Sequence, residues 1–291
     1  METFFSNILV PVDFSVNTKV AIQKAMWLAV PGFSIIHLLH ILDPVSKDGG
    51  YYVTEHAGWT TESNICSCED GEMKLQQLKQ TIEEELHKVI VVTHLISGES
   101  IQKGITCLAK QLHPSLIIIG ESKRHKWFPF LKTVNTGLLA KETNCPVLTI
   151  KPGSFPNRMK SIVMPVRSFV PNRKIELLSA LTRNHRPVIH LVSMYNDEQF
   201  NRRAGIFLDA YRTLSDYLHY PVEYKVLRGS NIAKAIFDYS KFIMADFIIA
   251  HPGETKISTI YGTDICDIIT PDSKLGILTT EPFLKTEKEH A

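Results

Sequence analysis

The feature that most constrains the fold is an internal repeat of short apolar runs separated by amphipathic stretches. Both halves give the order strand, helix, strand, helix, strand, helix, strand, helix, strand. Alternation of this kind is typical of parallel sheets with right-handed crossovers, so the sequence predicts an α/β fold. The matching runs are 7–12 (NILVPV) with 161–166 (SIVMPV), 35–39 (IIHLL) with 187–192 (PVIHLV), 97–105 (SGESIQKGI) with 228–236 (RGSNIAKAI), 116–119 (LIII) with 247–250 (FIIA), and 146–149 (PVLT) with 276–279 (GILT).

The stretch at residues 116–150 is predicted to hold the functional site of the first half. An apolar run ends at Gly120, a polar loop follows at 121–132, and a helix at 134–143 leads into a last apolar run at 146–150. A short apolar run bounded by turn signals fits a strand covered on both faces. Ligands of parallel α/β sheets bind beyond the carboxyl ends of the strands. The loop after Gly120 therefore lies where a ligand would bind.

Length and composition indicate an ordinary globular protein of two domains. The chain has 291 residues, is 44% hydrophobic and 21% charged, and has a formal net charge of +2. We expect domains at 1–152 and 158–282 and a polar tail at 283–291. The near-neutral charge does not favour nucleic acid or an anionic membrane surface. No apolar run is long enough to span a bilayer, and residues 1–13 lack the pattern of a signal peptide, so the expected location is cytoplasmic.

The five cysteines do not suggest a disulfide framework, since their number is odd and their density low. Cys107 and Cys145 lie in apolar segments and are expected to be buried. Cys66 and Cys68 lie in a polar stretch at 43–71 that is predicted to be a loop before a helix at 72–87. With His56 they could bind a metal or respond to redox state, but a tetrahedral site needs more ligands at suitable spacing. The alternative is a mobile loop with free thiols.

Two histidines in the second apolar run, His37 and His40, are interpreted as strand or core residues. A nucleotidyl-transferase histidine motif would place Gly before the second histidine, where this sequence has Leu39. No Walker loop or Gly-x-Ser-x-Gly elbow is present either. The sequence therefore gives no reason to assign a catalytic residue.

Taken in order, these segments resemble the universal stress protein family over nearly the whole chain. In the first half the resemblance is carried by NILVPVDFS, HLLHILDP, SGESIQKGITCLAKQLHPSLIIIG and TVNTGLLAKETNCPVLTIKP. In the second half it is carried by SIVMPV, GSNIAKAIFDYSKFIMADFIIAHP and GILTT. The resemblance implies two tandem domains, each a five-stranded parallel sheet with helices on both faces. This is the Rossmann-like fold of the adenine nucleotide alpha hydrolases.

The ATP-binding members of this family carry Gly, two residues, Gly, nine residues, Gly and then Ser or Thr after the fourth strand. Glycines let backbone N–H groups approach phosphates, and the next helix N-terminus adds partial positive charge. Here Gly120 fills the first position and Lys123 the second. Thr133 fills the third, or Lys132 does so if the loop is one residue shorter, in which case Thr133 supplies the hydroxyl. The motif is therefore degenerate.

Asp13 matches the acidic residue that faces the nucleotide in ATP-binding members, although it could instead cap the following turn. Its counterpart in the second half is Arg167, and the counterpart of Gly120 is His251, so the second half shows no recognisable phosphate loop. The basic residues 123–126 and Lys132 could replace backbone amides as phosphate ligands, or they could form an ordinary solvated loop.

The expected function is that of a non-catalytic stress-response protein that acts through contacts with other proteins, with no cofactor and little or no ATP binding. The alternative is an adenine-nucleotide-binding regulator, with Asp13, Gly120, Lys123, Lys132 and Thr133 as the ATP site. A weak ATP hydrolase is a third possibility. The two domains are expected to form a pseudo-dimer within the chain through their last strands, and a homodimer could form in addition. The identity of the protein partners does not follow from the sequence.

Overall fold

A computed structural model describes residues 5–42, 68–97, 100–120, 134–153, 159–166, 170, 172–182, 185–194, 197–218, 220–228, 232–250 and 275–280. The strands of the first half are β1 (Asn7–Pro11), β2 (Ile35–Leu42), β3 (Ile90–Ser97), β4 (Leu116–Gly120) and β5 (Val147–Ile150). Its helices are α1 (Val16–Leu28), α2 (Cys68–Glu85), α3 (Ile101–Leu112) and α4 (Thr136–Thr143).

The second half repeats this order. Its strands are β6 (Ser161–Pro165), β7 (Val188–Met194), β8 (Val222–Leu227), β9 (Phe247–Ala250) and β10 (Gly276–Thr279). Its described helices are α5 (Asn172–Leu181), α6 (Asp197–Leu218) and α7 (Ile232–Phe242).

All ten strands belong to one sheet, in the order β3-β2-β1-β4-β5-β10-β9-β6-β7-β8. Within each half the order is the same and every pairing is parallel. The halves meet where β5 pairs antiparallel with β10, with Leu148 opposite Leu278. The sequence predicted that the two domains meet through these two strands, the last of each half. The predicted α/β fold with a parallel sheet in each half is confirmed.

The two faces of the sheet are packed differently. On the face of α1, α2, α5 and α6, one hydrophobic cluster runs through both halves, from Ile36 and Leu75 to Leu177 and Leu214. On the other face each half has its own cluster, one under α3 and α4 and one under α7. A further contact joins the halves, since the Trp27 ring stacks on His185 with centroids 5.6 Å apart. Among the described residues, the halves therefore share a core on one face only.

The exposed β5 edge of an isolated first half should make it dimerise. Residues 1–153 expressed alone would leave the β5 ladder unpaired and would uncover the shared core beside Leu148 and Ile150. We expect two copies to pair through β5, because unpaired strand edges next to apolar surface associate readily. Light scattering should give twice the monomer mass. A folded monomer by circular dichroism and light scattering would contradict this prediction.

Several predicted boundaries need correction. Helix α2 begins at Cys68, four residues inside the segment predicted to be a loop, and an ion pair from Lys74 to Asp70 at 2.7 Å supports its first turns. Strand β2 begins at Ile35, as the apolar run at 35–39 indicated, and extends beyond that run to Leu42. Cys145 is buried as predicted, but the prediction for Cys107 is wrong, because its side chain lies on the exposed side of α3.

Candidate functional site

The candidate site of the first half lies at the carboxyl ends of β1 and β4, which are neighbours in the sheet. Strand order reverses here, because the chain passes from β1 to β2 on one side and returns from β3 to β4 on the other. Crevices at such a reversal are the usual ligand sites of open α/β sheets. Of the predicted site residues, the structure describes Asp13 and Gly120 and places both at this edge. Lys123, Lys132 and Thr133 lie outside the described residues, as do Cys66, Arg167 and His251.

The carboxylate of Asp13 is bonded to the first turn of α1. Its Oδ1 accepts hydrogen bonds from the backbone N–H of Ser15, at 3.0 Å, and from the hydroxyl of Thr18. The Asp13 N–H donates to the Thr18 hydroxyl oxygen at 3.1 Å. Ser15 is the N-cap of α1, and its hydroxyl oxygen accepts from the Thr18 N–H. Asp13 thus fixes the start of α1, which is the capping role considered from the sequence.

Gly120 is in close contact with the same turn of α1. A Cβ atom at this position would lie 2.2 Å from the carbonyl oxygen of Asn17 and 2.5 Å from its carbonyl carbon. Both are backbone atoms, so a side chain here would have to push α1 away from β4. Gly120 therefore has a packing role that does not depend on any ligand.

Beside Asp13 lie two aromatic rings, His40 near the end of β2 and Phe14 after the end of β1. The ring of His40 is buried, its Nδ1 donates to the carbonyl oxygen of Val12 at 2.8 Å, and its centroid lies 4.6 Å from that of Phe14. Burial lowers the pKa of His40, although the Val12 carbonyl and the Asp13 carboxylate act in the opposite direction. Phe14 holds a positive φ of 60°, which only a few per cent of non-glycine residues do. The ammonium of Lys74, on α2, lies 5.7 Å from the Phe14 centroid.

A second group of polar side chains lies on the other face of the sheet, which is the face that α3 covers. His37 Nδ1 is 3.0 Å from His94 Nε2, and His37 Nε2 is 3.3 Å from Asn7 Oδ1. Burial, and then the neighbouring His94, lower the pKa of His37 to about 4, and burial lowers the pKa of His94 as well. Both rings are therefore neutral at pH 7.

Sequence reasoning identified His37 and His40 as strand or core residues, and their burial confirms this. It did not identify their partners. Strand alternation could have shown that the two histidines, three residues apart, point to opposite faces. Finding His94 also requires the register between β2 and β3, in which His94 lies opposite Leu39.

The corresponding edge of the second half has different chemistry. Ser193 takes the place of His40, and its buried hydroxyl oxygen has no hydrogen-bond partner among the described residues. The buried Lys174 of α5 donates to the carbonyl oxygen of Pro165 at 3.4 Å. The two edges are therefore not copies of one site.

Comparison with known proteins shows the family. Residues 5–151 match the model of the Universal stress protein family, which is half of the chain. The chain belongs to the universal stress protein family. A search of curated proteins gave no significant match.

Solved structures support the same architecture over both halves. A universal stress protein from Archaeoglobus fulgidus DSM 4304 superposes with a TM-score of 0.62 at 16% identity, covering 96% of this chain and 97% of that one. The cytoplasmic domain of a prokaryotic cation chloride cotransporter gives 0.54 at 14% identity, with 94% of each chain covered. At these identities the likeness extends to the fold alone, and two proteins of different kinds share it.

Within the described part of the chain, no helix is both long and apolar enough to cross a membrane.

Proposed function

We propose that this protein is a non-catalytic, cytoplasmic component of the stress response that acts through contacts with other proteins and binds ATP weakly or not at all. The observation that carries the proposal is that the two described residues of the candidate ATP site serve the fold. Asp13 holds the first turn of α1 by accepting two hydrogen bonds from it, and Gly120 leaves the room that this turn needs to pack against β4. The resemblance of these two positions to ATP-binding members is thus accounted for without a nucleotide.

The surroundings of Asp13 also favour a non-catalytic role. A general base needs a suitable pKa and access to the proton that it removes. The buried His40 already donates from Nδ1 to a backbone carbonyl, packs on Phe14, and has a lowered pKa because of its burial. This ring is better suited to holding β1 and β2 together than to exchanging protons with a substrate.

Exposed apolar side chains support contacts with other proteins. Phe242 is the last residue of α7 and Met244 lies in the turn that follows it, and each is 83% exposed. Isolated exposed apolar residues are common on protein surfaces, but two large ones separated by a single residue make a compact apolar projection. If this projection contacts a partner, Phe242→Ser with Met244→Ser should abolish the interaction without lowering the unfolding midpoint.

The alternative function is an adenine-nucleotide-binding regulator. It is favoured by the position of Asp13, which is partly exposed at the reversal of strand order where ligands of such sheets bind. In this case Asp13 and Gly120 would lie beside the nucleotide, with Lys123, Lys132 and Thr133 at the phosphates. Slow hydrolysis of ATP would be a further property of the same site.

Calorimetric titration with Mg-ATP, after removal of any nucleotide that co-purifies, separates these functions. We expect no binding heat and no change in the unfolding midpoint as ATP is added, because a ligand of the native state would raise that midpoint by mass action. Micromolar binding that is lost in Lys132→Ala with Thr133→Ala would establish the nucleotide-binding alternative. Asp13→Asn is the matched variant at the strand end, since the amide oxygen can still accept from Ser15 while the charge is removed. Phosphate release lost in the double variant would indicate a hydrolase.

A further inference from the structure

Three side chains on adjacent strands of the first half form a short chain of hydrogen bonds: Asn7 on β1, His37 on β2 and His94 on β3. They share the sheet face that also carries Leu39 and Ile41. His37 is only 6% exposed, whereas His94, on the edge strand, is half-buried. The group lies near the amino-terminal ends of β1 and β2, away from the edge that holds Asp13 and Gly120.

Asn7 determines which nitrogen of His37 carries the proton. An amide oxygen only accepts hydrogen bonds, so His37 Nε2, 3.3 Å from Asn7 Oδ1, must be the N–H donor. In the neutral ring the other nitrogen, Nδ1, then carries a lone pair. That lone pair faces His94 Nε2 at 3.0 Å. A histidine that donates one N–H to an oxygen acceptor and presents the other nitrogen is the usual arrangement of a metal ligand with its supporting hydrogen bond.

Two imidazole nitrogens that face each other are suitable ligands for a divalent transition metal. Metal–imidazole bonds are about 2.0–2.1 Å long, so the nitrogens of two imidazoles on one ion lie about 2.9 Å apart at 90° and about 3.4 Å apart in a tetrahedral arrangement. The two nitrogens are 3.0 Å apart because a hydrogen bond joins the rings, so a small shift of His94 is enough to reach either separation. Two protein ligands with water at the other positions fit the octahedral or tetragonal shells of Ni²⁺ and Cu²⁺, whereas structural Zn²⁺ sites take four protein ligands.

We propose that His37 Nδ1 and His94 Nε2 form a two-histidine binding site for a divalent transition metal that completes its coordination with water, such as Ni²⁺ or Cu²⁺. The metal replaces the hydrogen bond between the rings, and the more exposed His94 turns so that its lone pair points at the ion. The proton on His94 Nε2 moves to Nδ1 of the same ring through solvent, so binding releases no net proton. In the described part of the chain no three His, Cys, Asp or Glu residues come together, so water completes the coordination.

The second half provides a natural comparison. His190 occupies the position of His37, but its Nδ1 lies 3.1 Å from the hydroxyl of Tyr239 and 3.5 Å from Glu223 Oε2. His37 pairs with Val92 and His190 with Glu223, so the residue matching His94, two positions further along, is Lys225. The facing pair of imidazoles is therefore present in the first half and absent from the equivalent place in the second.

The test is a calorimetric titration of the full chain with Ni²⁺ in a non-coordinating buffer, since Ni²⁺ does not oxidise the free thiols. We expect a binding event that disappears in His94→Ala. Asn7→Ala keeps both imidazoles and should weaken binding by about 10- to 100-fold, the usual effect of losing a supporting hydrogen bond. His190→Ala, the matched loss of one imidazole, should leave the binding unchanged. Saturating Ni²⁺ should also raise the unfolding midpoint of the wild type, but not of His94→Ala.

The proposal is overturned if the wild type shows no Ni²⁺ binding, or if His94→Ala binds Ni²⁺ as the wild type does. Zn²⁺ binding that is stronger than Ni²⁺ binding and lost in His94→Ala would overturn the assignment of a metal with an octahedral or tetragonal shell completed by water. Circular dichroism must first show that His94→Ala is folded. If it is not, His94→Gln, which retains a polar side chain on the edge strand, takes its place with the same expected loss.

Discussion

Gly120→Ala lowers the free energy of unfolding by about 3 kcal/mol, the upper part of the range for forcing an extra group into a packed core. The new Cβ would lie 2.2 Å from the Asn17 carbonyl oxygen, and a backbone carbonyl cannot move aside as a flexible side chain can. Either β4 and α1 separate or the first turn of α1 unwinds. Urea unfolding followed by circular dichroism measures the change.

Gly205→Ala is the matched control, because it makes the same substitution where there is room. Gly205 lies inside α6 and is exposed, and a Cβ atom added to it would have no neighbouring atom within 4 Å. Alanine should raise the free energy of unfolding there, by up to about 1 kcal/mol, because it loses less backbone entropy in a helix than glycine does. Equal effects of the two substitutions would show that Gly120 is not held in close contact by α1.

Lys24→Met raises the free energy of unfolding at pH 7 by about 2 kcal/mol, because folding at this pH removes the proton from a buried lysine and methionine has no such proton to lose. Lys24 is 7% exposed where α1 packs on the shared core, and burial lowers its pKa to about 6. Its Nζ lies 3.4 Å from the centroid of Trp27, and this π-face favours the charged form and offsets part of the cost. The methionine fills similar space without an amine to desolvate.

The pH dependence of stability tests the same assignment. Between pH 6 and about 10.4, the unfolded chain holds the Lys24 proton and the folded chain does not. With respect to Lys24, the free energy of unfolding is therefore highest above the unfolded pKa. It decreases as pH falls towards 6, with a slope of up to about 1.4 kcal/mol per pH unit. Lys24→Met should reduce the slope between pH 7 and 9.

Lys19→Met is the control for Lys24→Met, since Lys19 is an exposed lysine of the same helix. It should change the free energy of unfolding at pH 7 by no more than about 0.5 kcal/mol. A Lys24→Met protein that is less stable than the wild type at pH 7 would mean that the buried amine contributes more through its contacts than its burial costs.

The sequence predicted the order and type of the elements because each has a strong local pattern. Helix α4 was predicted at residues 134–143 and is found at Thr136–Thr143, since Asn135 caps its start and a left-handed residue, Asn144, ends it. The start of α2 was missed because Gly71 resembles a loop residue. A Cβ there would come within 3.2 Å of His40, so this glycine allows α2 to pack closely on β2.

Properties that depend on pairing and packing could not be predicted. The contact between His37 and His94 requires the register of β2 and β3, and a shift of one residue would turn His94 to the opposite face. The surroundings of Lys24 include the second half, because Lys24 lies over the ring of Trp27 and that ring stacks on His185. The capping role of Asp13 was considered as an alternative, but its bonds to Ser15 and Thr18 follow from backbone geometry.

The single chain with its shared core frees equivalent positions from the requirement of being identical. Five of the six buried residues of α1 (Ala21, Ile22, Lys24, Ala25 and Leu28) have the same spacing as the buried residues of α5 (Lys174, Ile175, Leu177, Leu178 and Leu181), so Lys24 corresponds to Leu177. In a dimer of two identical chains, every substitution at such a position occurs twice around the symmetry axis, and a lysine would place two amines in one core. Because its two halves are encoded separately, this protein can carry an amine at one of these positions and a leucine at the other. Each half can then acquire chemistry that a symmetric assembly would have to carry in duplicate.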